Sequence, residues 1–588
     1  MAHVGDLLAE LLVRYGVTHV FGQPGGQTVA LYDGLARRSQ HVTHILVRDE
    51  RSAVYAADAF ARLTGRPGVC DVTVGPGTTK LADGLVESHN ASVPVLALVG
   101  DLPRDWEPYR EMGVASQGFD QVSFLRTITK ATLPVPSPEA LPQLVRAAFR
   151  FMTTGRPGPV ALVLPHDVLD AEWTLDGRAL EIDERYVAAP AFRPVADPES
   201  VEAAAGLLAQ SLRPVIVAGG GVHDSQATGE LQELAEILDA VVVTSLTGKG
   251  AVSELAPYAA GVLNPLGTQE SLELVRRADL VFWCGTKVGQ NTSLNWTLPA
   301  VEQATIHLDC DGAELGRTFR PSVALNGDAR STLRALLTLL DKQTREDWLR
   351  DAADAKARGQ GERAARAARA STPLAPERVM SELDRRISED DVVISDASFA
   401  AGWVAAHLPA RKAGRHFVFA RGQGGLGYAV PAALGASAAS TARRVITVSG
   451  DGGFGYALGE LSTQAQQEMP VVNIVLNNGT LGWLNMWQKL YFDGLHQSVD
   501  LGDVQDFASV ARGLGCDGFR VDHHDQLGDA LDAAFGSNRP SVIDVLTDPA
   551  STPIHSFRRR LAEGRSYPRP GTVYELAAWR RSPGLTLP

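Results

Sequence analysis

The sequence predicts an α/β protein built from three doubly wound domains, in each of which helices cover both faces of a parallel sheet. Short β-rich runs alternate with helix-length segments along almost the whole chain, a pattern typical of parallel sheets. At 588 residues the chain is too long for one hydrophobic core. Two irregular stretches, at 182–200 and 341–377, interrupt the alternation, and we interpret both as joins between domains.

Dividing the sequence at these joins gives three predicted domains of similar size and a tail. The predicted units are 1–182, 195–340 and 372–548, followed by a C-terminal tail at 549–588. The first and third units echo each other, because "VTVGPGTTKLADGLVESHNASVPVLALVG" and "ITVSGDGGFGYALGELSTQAQQEMPVVNIVLNN" both run strand, glycine turn, helix, proline, strand. We therefore expect a duplicated doubly wound domain on either side of the central one.

Composition argues against several classes of function. Hydrophobic residues make up 45% of the chain and charged residues 21%, which is typical of a compact globular protein. The net charge of −13 argues against a nucleic-acid partner, since phosphate binding needs clustered Lys and Arg. The sequence contains no apolar run of the roughly 20 residues that span a bilayer, and its amphipathic N-terminal segment does not read as a signal peptide. The four cysteines have no C-x-x-C spacing, so we expect reduced thiols in a cytoplasmic protein.

A lone carboxylate lies between glycines in "VSGDGGF", where Asp451 follows a predicted strand. Ligands of open parallel sheets bind at the carboxyl ends of strands, and Gly450, Gly452 and Gly453 would let a phosphate approach the backbone. A carboxylate beside a phosphate needs a cation between them, so the motif predicts a hard divalent ion such as Mg²⁺. The next predicted strand ends in "NNGT" at 477–480, which offers further oxygen ligands. GDG alone is better explained by an Asp that only caps the following helix, but its pairing with NN favours the ion.

Along nearly its whole length the chain resembles the acetolactate synthase branch of the enzymes that depend on thiamine diphosphate (ThDP). The resemblance is carried by "VFGQPGGQTVALYDGL", "VRDERSAVYAADAFARLTGRPGV" and the GPG segment in the first unit, and by "GGLGYAVPAALGA" and the GDG…NN stretch in the third. It implies a pyrimidine-binding domain first, a nucleotide-binding-like domain second and a diphosphate-binding domain third. It also implies a homodimer at least, or a homotetramer, because in this family the two halves of each site come from different subunits.

The resemblance implies roles for individual residues. Glu50 is implied as the catalytic glutamate that bonds the aminopyrimidine ring nitrogen, where a partly desolvated carboxyl can exchange a proton near neutral pH. Leu426 is implied as the apolar residue that bends the cofactor, and Gln117 as a glutamine that approaches the active site. The implied metal ligands are Asp451, Asn478 and the carbonyl of Thr480. Other residues implied to line the cofactor are Gly25, Gly26, Gly424, Gly450, Gly452, Gly453, Leu481 and Gly482.

Several positions depart from the pattern of that family. "VISDASFAAGW" has Phe and Ala where the family has Gln-His, which leaves Asp396 and Ser398 as the polar candidates for a diphosphate contact. Asp49 replaces the usual His before the catalytic glutamate, and Lys80 replaces an Asn. In the central unit, "VIVAGGGV" with Gly219 and Gly220, together with Asp309 and Asp328, resembles a site for an adenine dinucleotide, FAD or ADP. Both flavin-contacting arginines are replaced, so ADP or an empty domain is more plausible than FAD.

Two further segments are candidates for contact with substrate. Trp487 lies one helical turn after Trp483, where relatives shape the substrate pocket. Asp493 could serve there as an acid or base, although a surface Asp that ends the helix before Gly494 is the simpler interpretation. The arginine-rich tail is either a solvated basic segment or a lid for a polyanionic substrate such as a CoA thioester.

The sequence thus predicts a ThDP- and Mg²⁺-dependent lyase or carboligase that forms an acyl-carbanion (enamine) intermediate. Our first hypothesis is decarboxylation and ligation of 2-oxo acids such as pyruvate, as the resemblance to acetolactate synthase implies. One alternative is a 2-hydroxyacyl-CoA lyase that releases formyl-CoA and an aldehyde or ketone. Another is a catalytically degenerate paralogue that binds nucleotide, against which Glu50 and the complete GDG…NN pair both argue.

Overall fold

The computed structural model describes residues 2–173, 177–439, 444–491 and 497–562. Within these ranges it contains three six-stranded sheets in which neighbouring strands are parallel, and one short antiparallel pair. The prediction of three parallel-sheet α/β domains is confirmed. The predicted acid Asp493 and the tail beyond 562 lie outside the described residues.

The first domain contains eight described strands: β1 (Ala2–His3), β2 (His19–Gly22), β3 (Thr43–Leu46), β4 (Gly68–Val72), β5 (Val95–Asp101), β6 (Ala131–Pro134), β7 (Val160–Pro165) and β8 (Glu172–Trp173). Six of them form the sheet β3-β2-β4-β5-β7-β6, and β1 pairs with β8. The central strands β4, β5 and β7 are buried at every residue, because helices cover both faces of the sheet.

The helices of this domain are α1 (Val4–Arg14), α2 (Val29–Ala36), α3 (Glu50–Thr64), α4 (Pro76–Lys80), α5 (Ala82–Ala91), α6 (Glu107–Glu111), α7 (Gln121–Arg126), α8 (Leu141–Thr153) and α9 (His166–Leu169). The helix most important for the site is α3, which has a defined start and stop. The Asp49 side chain caps it by accepting a hydrogen bond from the Arg51 N–H, and Gly65 ends it with a φ of 70°.

The central domain has the strands β9 (Pro214–Ala218), β10 (Val241–Thr244), β11 (Ala259–Val262), β12 (Leu280–Cys284), β13 (Ala304–Asp309) and β14 (Val323–Asn326). Its helices are α10 (Pro198–Gln210), α11 (Gly220–Asp224), α12 (Thr228–Leu238), α13 (Gln269–Arg277), α14 (Ala329–Leu337) and the long α15 (Glu346–Ala367). The strand order β11-β10-β9-β12-β13-β14 is that of a dinucleotide-binding domain.

The third domain has the strands β15 (Val392–Ser395), β16 (Phe417–Phe419), β17 (Val445–Gly450), β18 (Val472–Asn477), β19 (Asp517–Val521) and β20 (Ser541–Leu546). Its helices are α16 (Pro376–Asp384), α17 (Phe399–His407), α18 (Ala429–Ala439), α19 (Asp451–Gly455), α20 (Glu460–Gln466), α21 (Gly482–Tyr491), α22 (Phe507–Gly513) and α23 (Gln526–Gly536), followed by α24 (His555–Ala562). The sheet order is β16-β15-β17-β18-β20-β19.

The first and third domains share one topology. Counted in chain order within each sheet, both run second, first, third, fourth, sixth, fifth strand, whereas the central sheet follows a different order. The GPG turn follows β4 and the GDG turn follows β17, which are the third strands of their sheets. The echo between the two sequence segments therefore has a structural counterpart in equivalent positions of two similar domains.

Helices α3 and α18 pack the first domain against the third. A Cβ at Gly435 would lie 1.8 Å from the carbonyl oxygen of Ala56, so the close approach of the two helices requires glycine there. Asp58 is buried at this contact, where it accepts hydrogen bonds from Arg62 (2.6 Å) and Tyr428 (2.6 Å). Pairing of the charged groups offsets part of the desolvation cost of burying them at this interface.

No helix in the described ranges is long and apolar enough to cross a membrane.

Candidate active site

The edge formed by β17 and β18 brings the GDG and NN motifs together. The strands are parallel neighbours, with Gly450 paired to Leu476, so their carboxyl ends lie side by side. Asp451 Oδ2 accepts hydrogen bonds from the backbone N–H groups of Asn478 (3.1 Å) and Gly479 (2.6 Å), and Oδ1 accepts one from Gly452 (2.9 Å). Asp451 thus links two loops as well as beginning α19.

The donor set at this edge fits a hard divalent cation. Asp451 is 6% exposed, and burial raises its pKa above the usual range of an aspartate. A bound cation would offset that desolvation by favouring the charged form. The side-chain oxygen of Asn478 accepts from the Thr480 N–H at 3.1 Å, so the amide is already oriented within the same turn. Carboxylate, amide and carbonyl oxygens are the protein ligands that Mg²⁺ prefers.

The three glycines of this edge differ in what surrounds them. A Cβ at Gly450 would meet no atom within 4 Å, so this position borders open space where a ligand could approach the backbone. A Cβ at Gly453 would lie 3.0 Å from the Asp396 carboxyl group, and one at Gly452 would lie 2.8 Å from Leu481. Gly450 therefore has the character expected of a phosphate-facing residue, whereas Gly452 and Gly453 permit close packing.

Asp396 lies behind this edge and organises the neighbouring loop. It is 1% exposed and accepts hydrogen bonds from the N–H groups of Ala397 (2.8 Å), Gly427 (3.1 Å) and Ala429 (3.3 Å). Burial raises the pKa of Asp396 to about 6. Its oxygens are occupied by backbone groups, so in this structure it supports the site from behind. Ser398, the N-cap residue immediately before α17, has a φ of 67°, a strained conformation for a residue other than glycine.

Residues 421–429, which contain Leu426, are held by carboxylates of two domains. Glu87 of α5 accepts from the N–H groups of Gly422 (2.7 Å), Gln423 (2.7 Å) and Gly424 (3.1 Å), while Asp396 holds the other end. Leu426 lies between these two anchors and is half-buried. Sequence reasoning missed Glu87, because α5 also contains Asp83, His89 and Asn90 and nothing in the sequence singles out one of its polar residues.

Glu50 is located at the first turn of α3, in the other predicted half of the site. It is 8% exposed, and its Oε2 lies 2.8 Å from Lys80 Nζ. Its Oε1 faces the GPG turn, because a Cβ at Gly77 would lie 3.5 Å from that atom. Gln117 is exposed and lies against the same turn, since a Cβ at Gly75 would contact the Gln117 backbone at 2.6 Å.

The loop before α2 lies beside the turn that faces Glu50. A Cβ at Gly25 would lie 2.2 Å from Thr73 Oγ1, whereas a Cβ at Gly26 would meet no atom within 4 Å. Gly26 thus borders open space, as expected of a residue that faces a ligand. The Glu50 side chain contacts groups of the first domain and Asp451 contacts groups of the third, whereas the segment around Leu426 is held by carboxylates of both domains.

The segment after the NN motif packs aromatic side chains beside the GDG edge. Leu481 donates its N–H to the Val499 carbonyl at 2.8 Å, and Gly482 begins α21. The rings of Trp483 and Phe399 lie 5.6 Å apart, and Trp487 packs with Trp483 on the core of the third domain. Trp487 is half-buried. The prediction that these tryptophans shape a substrate pocket stays a prediction.

A cavity of about 410 Å³ lies at the carboxyl ends of the strands of the central domain and is lined by residues of all three domains. Gly220 and Asp309 line it, and burial raises the pKa of Asp309 to about 6. Asp328, also in its wall, caps α14 and accepts from Ser225 Oγ at 2.6 Å. Gly219 permits two backbone segments to approach closely, since a Cβ there would lie 2.0 Å from the Gly285 carbonyl oxygen. The cationic side chains in the wall are Arg62, Arg156, Lys287, Arg415 and Arg421.

Three family models match the chain, one in each sheet domain. The N-terminal TPP binding domain of thiamine pyrophosphate enzymes matches residues 2–124, the central domain matches 201–336, and the C-terminal TPP binding domain matches 396–545.

Curated relatives match over nearly the full length. A probable acetolactate synthase large subunit of Methanocaldococcus jannaschii is 35% identical over 565 residues, which cover 93% of this chain and 92% of the relative. The acetolactate synthase large subunit of Corynebacterium glutamicum is 33% identical and covers 90% and 84%. The isozyme 3 large subunit of Escherichia coli is 30% identical and covers 92% and 94%.

Proposed function

Because the chain belongs to the thiamine pyrophosphate enzymes, we propose that it is a ThDP- and Mg²⁺-dependent carboligase. Its relatives are acetolactate synthase large subunits. In the proposed reaction the enzyme decarboxylates one 2-oxo acid and joins the remaining acyl unit to a second. Thiamine pyrophosphate and ThDP are the same compound. The observation that carries the proposal is the edge where Asp451 is hydrogen-bonded to the backbone of Asn478 and Gly479, with oxygen donors for a cation beside a glycine that borders open space.

When bound, the cofactor would supply the electron sink for breaking the carbon–carbon bond beside a carbonyl group. Asp451, Asn478 and Thr480 would hold Mg²⁺ against the diphosphate, and Gly450 would let the phosphate oxygens approach the backbone. Glu50 would hold a proton at the pyrimidine ring nitrogen. Leu426, fixed between Glu87 and Asp396, would support the bend of the cofactor, while Gln117 and Trp487 would contact the substrate.

We infer that the enzyme is at least a homodimer, because Glu50 and Asp451 each belong to a half-site organised within a different domain. In the family that the sequence resembles, the two halves meet across a subunit boundary. This arrangement would bring Glu50 of one subunit to the GDG edge of the other.

We further propose that the central cavity holds a nucleoside diphosphate such as ADP. Its volume of about 410 Å³ lies within the usual range for small-molecule sites. Lys287 and Arg421 in its wall would complement phosphate groups. Three other wall cations already pair with carboxylates: Arg62 with Asp58, Arg156 with Glu314 and Arg415 with Asp224. Burial and the neighbouring Arg156 lower the pKa of Lys287 to about 8, so a bound anion would stabilise its charged form.

The test is turnover of pyruvate by pure protein supplied with ThDP and Mg²⁺. Formation of acetolactate that stops when either cofactor is removed is the expected result. Absence of product from every 2-oxo acid, with cleavage of a 2-hydroxyacyl-CoA instead, would replace the proposed reaction by the CoA lyase alternative. The small molecules released on denaturation distinguish ADP from a flavin, since only the flavin is yellow.

A further inference from the structure

The turn that leads to Glu50 is held by a side chain of the third domain. Glu460, the first residue of α20, is 1% exposed. Its Oε1 accepts hydrogen bonds from the backbone N–H groups of Arg48 at 2.9 Å and Asp49 at 3.2 Å. These two residues directly precede Glu50, so a third-domain carboxylate binds the chain where the predicted catalytic glutamate begins α3.

Residues 48–49 fall between the hydrogen-bond patterns of a strand and a helix. The β2–β3 ladder ends where Val47 donates its N–H to the Gly22 carbonyl at 3.1 Å, and the backbone hydrogen bonds of α3 start with the N–H of Ser52. The two N–H groups between these patterns need another acceptor. In the part of the chain that the structure describes, that acceptor is Glu460.

The Glu460 carboxylate is itself fixed in place. Its Oε2 accepts a hydrogen bond from Thr463 Oγ1 at 2.8 Å, within the first turn of α20, and both side chains are buried. One oxygen is thus bound to the third domain and the other to the turn before Glu50. A buried group that is bonded at both oxygens is rigid, so the position of α20 determines where α3 begins.

Other hydrogen bonds join the same two segments. They run from Arg48 to Ser462 Oγ (3.1 Å) and Gln466 Oε1 (2.6 Å), and from Arg51 to the Tyr456 carbonyl (3.0 Å). These outer contacts are exposed to water, so each contributes less than the buried carboxylate does. Their acceptors lie in 456–466, the segment that directly follows α19 and the GDG turn. The chain after the GDG turn therefore grips the chain around Glu50.

We propose that Glu460 is a positioning residue that holds the Glu50 carboxyl group where it can bond the pyrimidine ring nitrogen. This inference rests on the proposed function. Glu460 acts through the backbone that carries Glu50 and not by contact with the cofactor. A displacement of a reacting group by about 1 Å can lower turnover by about 10²-fold. Loss of the Glu460 acceptor should therefore slow the reaction through Glu50.

Hydrogen exchange in the full-length protein without cofactor tests the anchor. In Glu460→Ala the N–H groups of residues 48–49 lose their acceptor, so the peptide that contains them should exchange about ten-fold faster than in the wild type. In Glu460→Gln the amide oxygen can accept from both N–H groups while the amide NH2 donates to Thr463 Oγ1, so exchange should stay slow. Glu389→Ala truncates an exposed glutamate of the same domain and is the matched control. Wild-type exchange in Glu460→Ala would overturn the inference.

A double-mutant cycle on turnover separates positioning from stability. At saturating ThDP and 2-oxo acid, kcat of Glu460→Ala should fall by about 10 to 10²-fold with little change in KM, and Glu460→Gln should recover most of this loss. In a Glu50→Gln background, Glu460→Ala should cause little further loss, because the side chain through which it acts is already gone. An equal loss in both backgrounds would show a structural role alone and overturn the inference.

A second variant covers the case in which Glu460→Ala does not fold. Glu460→Asp keeps the charge but withdraws its oxygens by one methylene group from the two N–H groups, so it should show both effects in weaker form. Wild-type exchange and kcat in Glu460→Asp would then overturn the inference. Wild-type protein that turns over no substrate with ThDP and Mg²⁺ overturns the proposed function instead, while hydrogen exchange still decides whether Glu460 anchors residues 48–49.

Discussion

At the scale of single residues, Asp451 has the clearest dual role. Its carboxylate accepts hydrogen bonds from backbone N–H groups of residues 452, 478 and 479, so it connects two loops. A cation would compete with these N–H groups for the same oxygens. The site is therefore preorganised by the residue that would bind the metal.

We expect Asp451→Asn to abolish retention of ThDP while the fold survives. The amide oxygen can still accept from the N–H groups of Asn478 and Gly479, while the amide NH2 faces the Gly452 N–H and that one hydrogen bond is lost. The amide also lacks the charge that attracts Mg²⁺. Cofactor content after dialysis, compared with the wild type, measures the effect. Equal ThDP occupancy in the two proteins would contradict the ligand assignment, and an unchanged melting temperature would show that the change is local.

Glu50→Gln should lower turnover by about 10² to 10⁴-fold, the usual contribution of a group that transfers protons. Glutamine retains the size of the side chain and a hydrogen bond with Lys80, so ThDP binding should persist. Steady-state kinetics beside a ThDP binding titration separates the two effects. A fully active variant would remove Glu50 from the mechanism.

At the scale of elements, the segment that carries Leu426 depends on the first domain as much as on its own. Glu87, at 0% exposure, accepts three backbone N–H groups of this segment and also pairs with Arg62 at 3.1 Å. Loss of its carboxylate would leave buried donors and part of a buried guanidinium without a partner. The position of Leu426 is thus coupled to the packing of α3 and α5.

Glu87→Ala should lower the free energy of unfolding by about 3 kcal/mol or more, because it breaks a buried charged network. It should also weaken ThDP binding, since the segment around Leu426 loses an anchor. Thermal unfolding and a ThDP titration check the two effects. Glu233→Ala, which truncates an exposed glutamate on α12, is the matched control and should be near neutral. Comparable losses of stability and of ThDP binding in both variants would contradict the role of Glu87 as an anchor of this segment.

The features that could be predicted from the sequence depend on residues close together in the chain. Alternating strands and helices predicted the three parallel-sheet domains, and GDG and NN predicted an edge because the ends of adjacent parallel strands must meet. The contacts of Asp396 and Glu87 could not be predicted in this way. Both carboxylates bond to backbone groups of a segment far along the chain, so their partners are set by tertiary packing. Similarly, no sequence pattern predicted the salt bridge between Lys80 and Glu50.

At the scale of the whole molecule, the equal strand order of the first and third domains is expected of a duplicated domain. The GPG turn near Glu50 and the GDG turn at Asp451 follow equivalent strands of the two sheets. Packing of α3 against α18 fixes these domains relative to each other within one chain. A symmetric dimer would then form two identical sites, each with a turn from either subunit.

Mixing two inactive variants tests that arrangement. Glu50→Gln and Asp451→Asn homodimers should each be nearly inactive. If each site joins Glu50 of one subunit to Asp451 of the other, a mixed dimer contains one intact site and one doubly altered site. Random reassociation of equal amounts should restore about one quarter of wild-type activity, since about half of the dimers are mixed and each has one working site. If both residues of a site came from one chain, every site in the mixture would carry one substitution, and mixing would restore no activity.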